Sequence, residues 1–264
     1  MKKIILVLFL LLNLCGCSEE RLLVSFFSLG AADSTLIEKR DSVYLVDTGE
    51  SDDADEIIEA LNKAGITKID AIFISHFDKD HIGGASEIIK NFEVGIIYTP
   101  YLPEDKESEE IDAFYQATEE YDVEVVIVSE ETSFSDNGLN FTLYPPLENS
   151  YESSSSNNAS LCLYLTYGDT SFFFAGDAEK ERINELLEYG ITCDVLKMPH
   201  HGRYAKNSAD LLSTYDPSYV VINSSESELE EEKLMALFTD ETVYLTREGS
   251  VTFISNGKSI SVTR

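Results

Sequence analysis

Apolar positions along this chain recur with two spacings, and the spacing changes at short turns. LLVSFFSL, DSTLIEKR and SVYLVDTG read as three early strands, the first two parted by GAA and the last ended by Gly49. From Asp53 to Gly65, DADEIIEALNKAG puts Ile57, Ile58, Leu61 and Ala64 on one face and closes on a glycine, which predicts an amphipathic helix. IDAIFIS is almost continuously apolar, as a strand covered on both faces should be. Gly83 and Gly84 then open a helix at ASEIIKNF, and VGIIYTP follows as a strand.

The middle of the chain is less regular. Glu104 to Tyr121 is rich in acids and predicts a solvated helix, EEIDAFYQATEEY, before the strand VEVVIV. LENSYESSSSNN is a polar loop, either a flexible linker or a lid over a site. It is internal to the domain, because SLCLYLTYGDTSFFFAGD resumes at once as a hairpin turning at Gly168-Asp169. EKERINELLEYG, CDVLKMP, SADLLSTY, SYVVINS, EEEKLMALF, TVYLT and SVTFIS continue the alternation of helix and strand. No short repeat and no Gly-rich phosphate loop is visible, and the pattern predicts one compact α/β domain.

The N-terminus follows a different pattern. Lys2 and Lys3 precede an apolar run from Ile4 to Leu12, too short to span a bilayer, and then come the small residues of LCGC. That is the layout of an export signal. Leu14-Cys15-Gly16-Cys17 is similar to a bacterial lipobox, in which cleavage before Cys17 leaves that cysteine to carry lipid. This reading divides the chain into a signal peptide over 1–16, a tether over 17–22 and a folded domain over 23–264. It places the domain on the outer face of the bacterial cell membrane. A signal peptide with a chance cysteine is the alternative.

Composition narrows the partners. The chain has 264 residues, 43% of them hydrophobic, with a formal charge of −30. That charge argues against strong non-specific binding to duplex DNA, which depends on clustered Lys and Arg releasing counterions. Beyond the signal, Cys162 and Cys193 lie in apolar segments and read as buried thiols, though an export compartment would permit a bridge.

All four histidines fall in two short motifs, SHFDKDHIGG and MPHHG. His76, Asp78, Asp80 and His81 occupy the first residues beyond the strand IDAIFIS, where one loop can aim four ligands at a small volume. Imidazole and carboxylate suit zinc, manganese or iron, and four donors in six residues can serve two neighbouring ions. A charged turn with an Asp capping the next helix would give the same letters. Asp177 ends FFFAG, however, and His200-His201 follow CDVLKMP, so three strand ends present acid or imidazole. Gly83 and Gly202 beside them allow close backbone approach.

From Leu23 to Val262 the chain resembles the metallo-β-lactamase fold hydrolases, and within them the hydrolase domain of the ComEC/Rec2-type competence proteins. The resemblance rests on FFSLGAADSTLI, YLVDTG, SHFDKDHIGG, NNASLCLYLTYGDTSFFFAGD, DVLKMPHHG and VYLTREGSVTFI. In the general His-x-His-x-Asp-His motif, Asp78 stands where the second histidine would be, as in the competence branch. The resemblance implies a four-layer αββα sandwich with its site along one edge. It also implies two divalent transition-metal ions, zinc or manganese. His76 and Asp78 would hold one ion and Asp80 and His81 the other. Asp177 would bridge them, and His200 or His201, with a slight preference for His200, would complete the second. Asn157 or Asn158 falls where many relatives carry another histidine. Asp33 and Asp47 would orient ligands or shape turns.

Two departures stand out. Gly30-Ala31-Ala32-Asp33-Ser34 has one glycine fewer than the usual Gly-x-Gly-Asp-Ser, and SSESELEEEKL lacks the histidine of a Gly-His-Pro element. The implied reaction is attack by a metal-activated hydroxide on a phosphodiester or related ester, with Asp80 orienting it or accepting a proton and Asp177 holding the ions. Lys197, Arg203 and Lys206 surround HHG and read either as phosphate contacts or as solvated lysines and arginine. Other ester classes (phosphocholine esters, thioesters, β-lactams) and a metal-binding scaffold without catalysis are the alternatives.

Overall fold

The computed structural model describes residues 20–264, so the signal segment and Cys17 lie outside the described residues. The early apolar segments become β1 (Leu22–Phe26), β2 (Thr35–Lys39), β3 (Ser42–Val46), β4 (Lys68–Phe73), β5 (Glu93–Thr99) and β6 (Glu124–Ile127). The later ones become β7 (Thr132–Asp136), β8 (Leu139–Tyr144), β9 (Cys162–Tyr167), β10 (Thr170–Phe174), β11 (Val195–Lys197), β12 (Tyr219–Ile222) and β13 (Thr242–Leu245). A final hairpin, β14 (Val251–Ser255) and β15 (Ile260–Thr263), returns to the first sheet. The sheets run β15-β14-β1-β2-β3-β4-β5-β6 and β13-β12-β11-β10-β9-β8-β7.

Helices connect the strands: α1 (Ala54–Lys63), α2 (Lys79–Ile82), α3 (Ala85–Asn91), α4 (Glu109–Glu120), α5 (Ser155–Asn158), α6 (Lys180–Glu188), α7 (Ser208–Tyr215) and α8 (Glu232–Met235). Three buried apolar clusters separate four layers. Phe26, Tyr44, Phe73, Phe141, Phe172 and Phe253 fill the space between the sheets. Ile57, Leu61, Ile72, Ile88 and Phe114 join the first sheet to α1, α3 and α4. Phe173, Ile183, Leu186, Leu196, Leu211 and Tyr215 join the second to α6 and α7. The expected αββα sandwich is present, and β4 is buried on both faces, with Ala71 and Phe73 inward and Ile72 and Ile74 toward helices.

Five elements were not anticipated, among them β8 and the short helix α5 inside the segment expected to be a polar loop. TSFSD is only half-buried along β7 and carries one large apolar residue, so its strand character comes from antiparallel pairing with β8. β15 is similarly an edge strand paired to β14. The short helix α2 precedes α3 and carries Asp80 and His81. Cys162 and Cys193 are free and buried, so they act as small hydrophobes.

Strand direction gives the molecule two distinct ends. Phe26 faces Thr35 and Val251, Thr35 faces Val46, and Val46 faces Phe73, so these residues share one end of the first sheet. Asp47 and the loop after β4 project from that end. The turns at Arg40, Asn137, Gly168 and Gly257 gather at the other, where Asp169 donates its N–H to the Gly257 carbonyl at 2.7 Å. No helix among the described residues is long and apolar enough to cross a membrane.

Gly84 shows how tightly the first end is drawn together. A Cβ there would lie 2.2 Å from the Thr48 carbonyl oxygen, and the Thr48 N–H itself donates to the His81 carbonyl at 2.7 Å. Gly84→Ala should therefore force apart the two segments that frame His81. We expect a loss of about 1–3 kcal/mol, read as a lower urea midpoint at unchanged slope.

Candidate metal centre

The loop after β4 and the helix α2 bring His76, Asp78, Asp80 and His81 to the open end of the first sheet. Asp177 reaches the same place from the end of β10, and His201 from the turn after β11. One donor atom each from Asp80, His81, Asp177 and His201 lie within 4.8 Å of one another. His201 Nε2 is 3.0 Å from Asp177 Oδ2 and 3.1 Å from Asp80 Oδ2, while His81 Nε2 is 3.3 Å from Asp177 Oδ1.

These atoms fit a metal because protein leaves them unsatisfied. The buried side-chain polar atoms without a hydrogen-bond partner include His76 Nε2, His81 Nε2, Asp177 Oδ1, Asp33 Oδ1 and both ring nitrogens of His201. Burying such groups unpaired is costly, and cations are the partners that imidazole and carboxylate share. Burial alone would raise the Asp177 carboxyl, yet His201 and His81 hold it well below the usual carboxylate range. Burial would likewise lower His201, but Asp177 and Asp80 push it up to about 9.

Asp47 sets the orientation of His81. Its carboxylate accepts from Ser75 N at 2.7 Å and Ser75 Oγ at 2.8 Å, and its Oδ2 lies 2.9 Å from His81 Nδ1. A proton on Nδ1 donated to that carboxylate leaves the Nε2 lone pair aimed at Asp177, the arrangement that fixes metal-binding imidazoles elsewhere. Asp47 holds this position with φ at +58°, in the left-handed region.

His76 and Asp78 form a second, looser pair. His76 Nε2 is 3.7 Å from Asp78 Oδ2, and the His76 and His81 rings are 4.1 Å apart between centroids. Asp78 Oδ1 accepts from Lys106 Nζ and, at 2.5 Å, from Ser156 Oγ. Burial would raise Asp78, but His76, Lys106 and Ser156 together keep it ionised far below its ordinary range. Lys106 escaped the sequence reading because it comes from a loop distant in sequence with no motif to mark it, and Ser156, in α5, because nothing distinguishes one serine of the serine-rich segment from its neighbours.

The paired histidines separate. His200, His201 and Gly202 have successive φ values of +51°, +52° and +81°, so the chain turns left-handed through all three. A Cβ at position 202 would sit 2.9 Å from Ile222 Cγ2, which leaves room only for glycine. The turn buries His201 in the donor group and sends His200 outward, where its Nδ1 is 3.3 Å from Glu179 Oε1 and its Nε2 is 3.5 Å from Asn157 Nδ2. The donor group thus contains His201, whereas His200, slightly preferred from the sequence, lies beside Glu179.

Other candidates take different places. Asn157 donates to Glu179 at 2.9 Å and lines the cleft, whereas Asn158 is fully buried, accepting from Arg182 N and donating to Ser153 O and Glu181. Asn158 therefore stabilises the start of α6 and cannot stand in for a ligand. Asp33 pairs with Lys197 Nζ, and its Oδ1 is 3.6 Å from His201 Nδ1. Lys197, read from the sequence as either a phosphate contact or a solvated lysine, is 4% exposed and also donates to the Gly176 carbonyl at 3.1 Å. As the last residue of β11 its side chain turns inward, where it neutralises Asp33 and faces Asp177. Arg203 lines the cleft, and Lys206 is exposed outside it.

The cleft above the donors holds about 530 Å³. Its rim carries Lys79 and Arg203 against Glu50, Asp53, Glu179 and Glu228. A group of this shape, with a few convergent polar residues at its floor, suits a small ligand or one segment of a polymer.

The sandwich and the donor group at its open end define the class. The chain belongs to the metallo-beta-lactamase superfamily, whose profile matches residues 28–224, and it is a hydrolase of that superfamily. It is 29% identical over 175 residues to ComE operon protein 3 of Bacillus subtilis, covering 65% of this chain and 22% of that protein. It is 28% identical over 226 residues to Recombination protein 2 of Haemophilus influenzae, covering 84% of this chain and 26% of that protein. The chain thus spans about a quarter of the length of these curated relatives. The metallo-beta-lactamase fold protein YhfI of Bacillus subtilis superposes with a TM-score of 0.62 at 12% identity, covering 92% of this chain and all 100% of that one, which establishes the shared fold. The resemblance to the competence-protein hydrolase domain is sustained by these relatives.

Two tests follow from the geometry. Asp47→Ala frees His81 to rotate and should weaken zinc or manganese binding about 10–100-fold in chelator competition. Unchanged affinity would show that Asp47 does not orient a ligand. On the cleft rim, burial and the neighbours Glu50, Glu56 and Asp52 push the Asp53 carboxyl up to about 6, despite a hydrogen bond from Glu50 N. An acid raised above its unfolded value of about 3.9 folds better protonated, so its ionisation removes stability as pH rises from about 4 to about 6. Asp53→Asn keeps an acceptor for Glu50 and should raise the melting temperature at pH 7.5 but not at pH 4.

Proposed function

We propose that the protein is an exported, lipid-anchored, metal-dependent phosphodiesterase. The observation that carries the reading is the convergence of three imidazoles, His76, His81 and His201, with the carboxylates of Asp78, Asp80 and Asp177 around buried, unpaired donor atoms. The assignment takes Asp80, His81, Asp177 and His201 as one ion's ligands and His76 and Asp78 as the other's, with Asp177 between them. The carboxylate share of this set favours zinc or manganese over softer ions. Divalent ions at such donors supply Lewis acidity toward a phosphoryl oxygen and lower the pKa of water toward neutrality.

The chain's own residues supply the rest. Asp47 orients His81, Asp33 faces His201 at 3.6 Å, and Lys197 balances the buried acids from beneath the cleft. Asp80 is the most exposed carboxylate of the four-donor group and lines the cleft, so it orients or accepts a proton from the attacking water. Although burial alone would raise it, His201 and His81 hold it below the usual carboxylate range, which keeps it ionised and suits it to orienting the water more than to taking its proton. Support for phosphodiester chemistry comes from the similarity to proteins named for competence and recombination, and from Asp78 at the position that marks that branch. Arg203 and Lys79 are the cations available to a bound phosphate at the rim.

Hydrolysis of bis(p-nitrophenyl) phosphate with added manganese or zinc tests the reaction, and His81→Ala should abolish it. Single-stranded DNA should be cleaved faster than duplex, because the acidic rim and the overall charge of −30 repel a dense polyanion. Raising salt should narrow that gap by screening. Efficient hydrolysis of β-lactams, thioesters or phosphocholine esters with every other phosphodiester left intact would replace this substrate class. No hydrolysis of any of them by metal-loaded protein would favour a binding scaffold.

The anchor is tested separately. LCGC after a basic and apolar start supports cleavage before Cys17 and lipid on its thiol, with the protein held on the outer face of the membrane. Mass spectrometry of the mature N-terminus should find a lipidated Cys17, and any unlipidated residue at that terminus would refute it. A single acyl chain holds only weakly, so more than one is expected.

A further inference from the structure

We infer that the protein stands on the bilayer on its turn end, with the metal centre directed away from the headgroups; this orientation rests on the lipid anchor at Cys17 proposed above. Glu20 pairs with Lys39 at 3.2 Å and with Arg40, and its carbonyl accepts from the Tyr167 hydroxyl at 2.9 Å. Lys39 is itself buried, lies 4.8 Å from the centre of the Tyr167 ring and donates to the Asn137 carbonyl. The chain is therefore fastened to the fold at residue 20, among the turns that close β2–β3, β7–β8 and β9–β10. It does not hang from a long free tether.

Strand direction converts that attachment into an orientation. β1 runs from Leu22 at the turn end to Phe26 at the end where Val46 and Phe73 lead into Asp47 and the His76–His81 loop. Its five residues span about 17 Å, and the donors lie beyond its far end. Three residue steps separate Cys17 from Glu20 and reach at most about 11 Å in any conformation. A lipid on Cys17 therefore keeps the turn end within that reach of the membrane and cannot be drawn around to the cleft.

Charge acts in the same direction. The cleft rim presents Glu50, Asp53, Glu179 and Glu228, which anionic headgroups repel. At the opposite turns Arg40 is paired with Glu20, and exposed Lys258 lies with Asp41 and Asp169, so that end attracts headgroups little and the difference comes from repulsion at the rim. The partner surface is thus the bilayer itself at the turn end, and the substrate is a phosphodiester in solution or in a polymer beyond the membrane. The headgroups of the anchoring bilayer are out of reach of the site.

The test uses the lipidated protein in vesicles of phosphatidylglycerol and phosphatidylethanolamine containing a nitroxide-labelled lipid. Single fluorophores are placed by Asp169→Cys or Lys258→Cys at the turn end and by Ser227→Cys or Glu228→Cys at the cleft rim. The native Cys162 and Cys193 thiols are buried and spared by the label. The nitroxide lipid should quench the turn-end labels and leave the rim labels unchanged. Rim labels quenched as much as the turn-end labels, or release of headgroups from the same vesicle by the metal-loaded protein, would overturn the orientation. Failure of the protein to sediment with vesicles reads out separately: it would sink the lipid anchor, and the orientation with it, while leaving the hydrolase assignment standing.

Discussion

The hydrogen bond between the Asp47 carboxylate and His81 Nδ1, 2.9 Å long and fully buried, is the contact on which the site depends. It couples a charge at the end of β3 to an imidazole in the loop after β4, and Ser75 secures the same carboxylate with two further bonds. Around it lie Asp33, Asp177, Lys197, His76 and His201, all nearly excluded from solvent. So dense a set of ionisable groups survives burial only because opposite charges and donors neutralise one another or are directed at a cation. The ligand positions are therefore determined by the electrostatics of the surrounding shell as much as by the loops that carry them.

That shell exists because two sheets end together. β3 and β4 are parallel neighbours in one sheet, and β10 and β11 are parallel neighbours in the other. The apolar cluster between the sheets brings the ends of all four to a common edge. Asp47, His76, Asp177 and His201 follow these four strands, so packing of Phe73 against the opposing sheet also sets the distance between ligands. Glycines at 84 and 202 complete the convergence by letting backbone pass where any side chain would collide. The same strands carry the core packing and the donor group, so a mutation in the inter-sheet core would be felt at the candidate site.

The two groups of donor residues are chemically unequal. Asp80, His81, Asp177 and His201 form a compact group, while Asp78 spends one oxygen on Lys106 and Ser156. Asn157 is turned to Glu179 and His200. The looser group borders the serine-rich segment and the loop bearing Lys106.

The sequence by itself determined the strand and helix alternation, the αββα layering through its resemblance, and the strand ends at which acids and imidazoles would meet. These were legible because period-2 and period-3.6 burial are local properties, and because His76 to His81 lie within one turn of chain. Edge strands β7 and β15 were not legible, since pairing rather than apolar content makes them strands. Tertiary structure alone decided that His201 and not His200 enters the donor group, that Lys197 turns inward to Asp33, and that Asn158 holds α6. It also brought Lys106 and Ser156 to Asp78. Each of these depends on a backbone turn or a contact between distant segments, and adjacent residues with identical chemistry can point to opposite sides of such a turn.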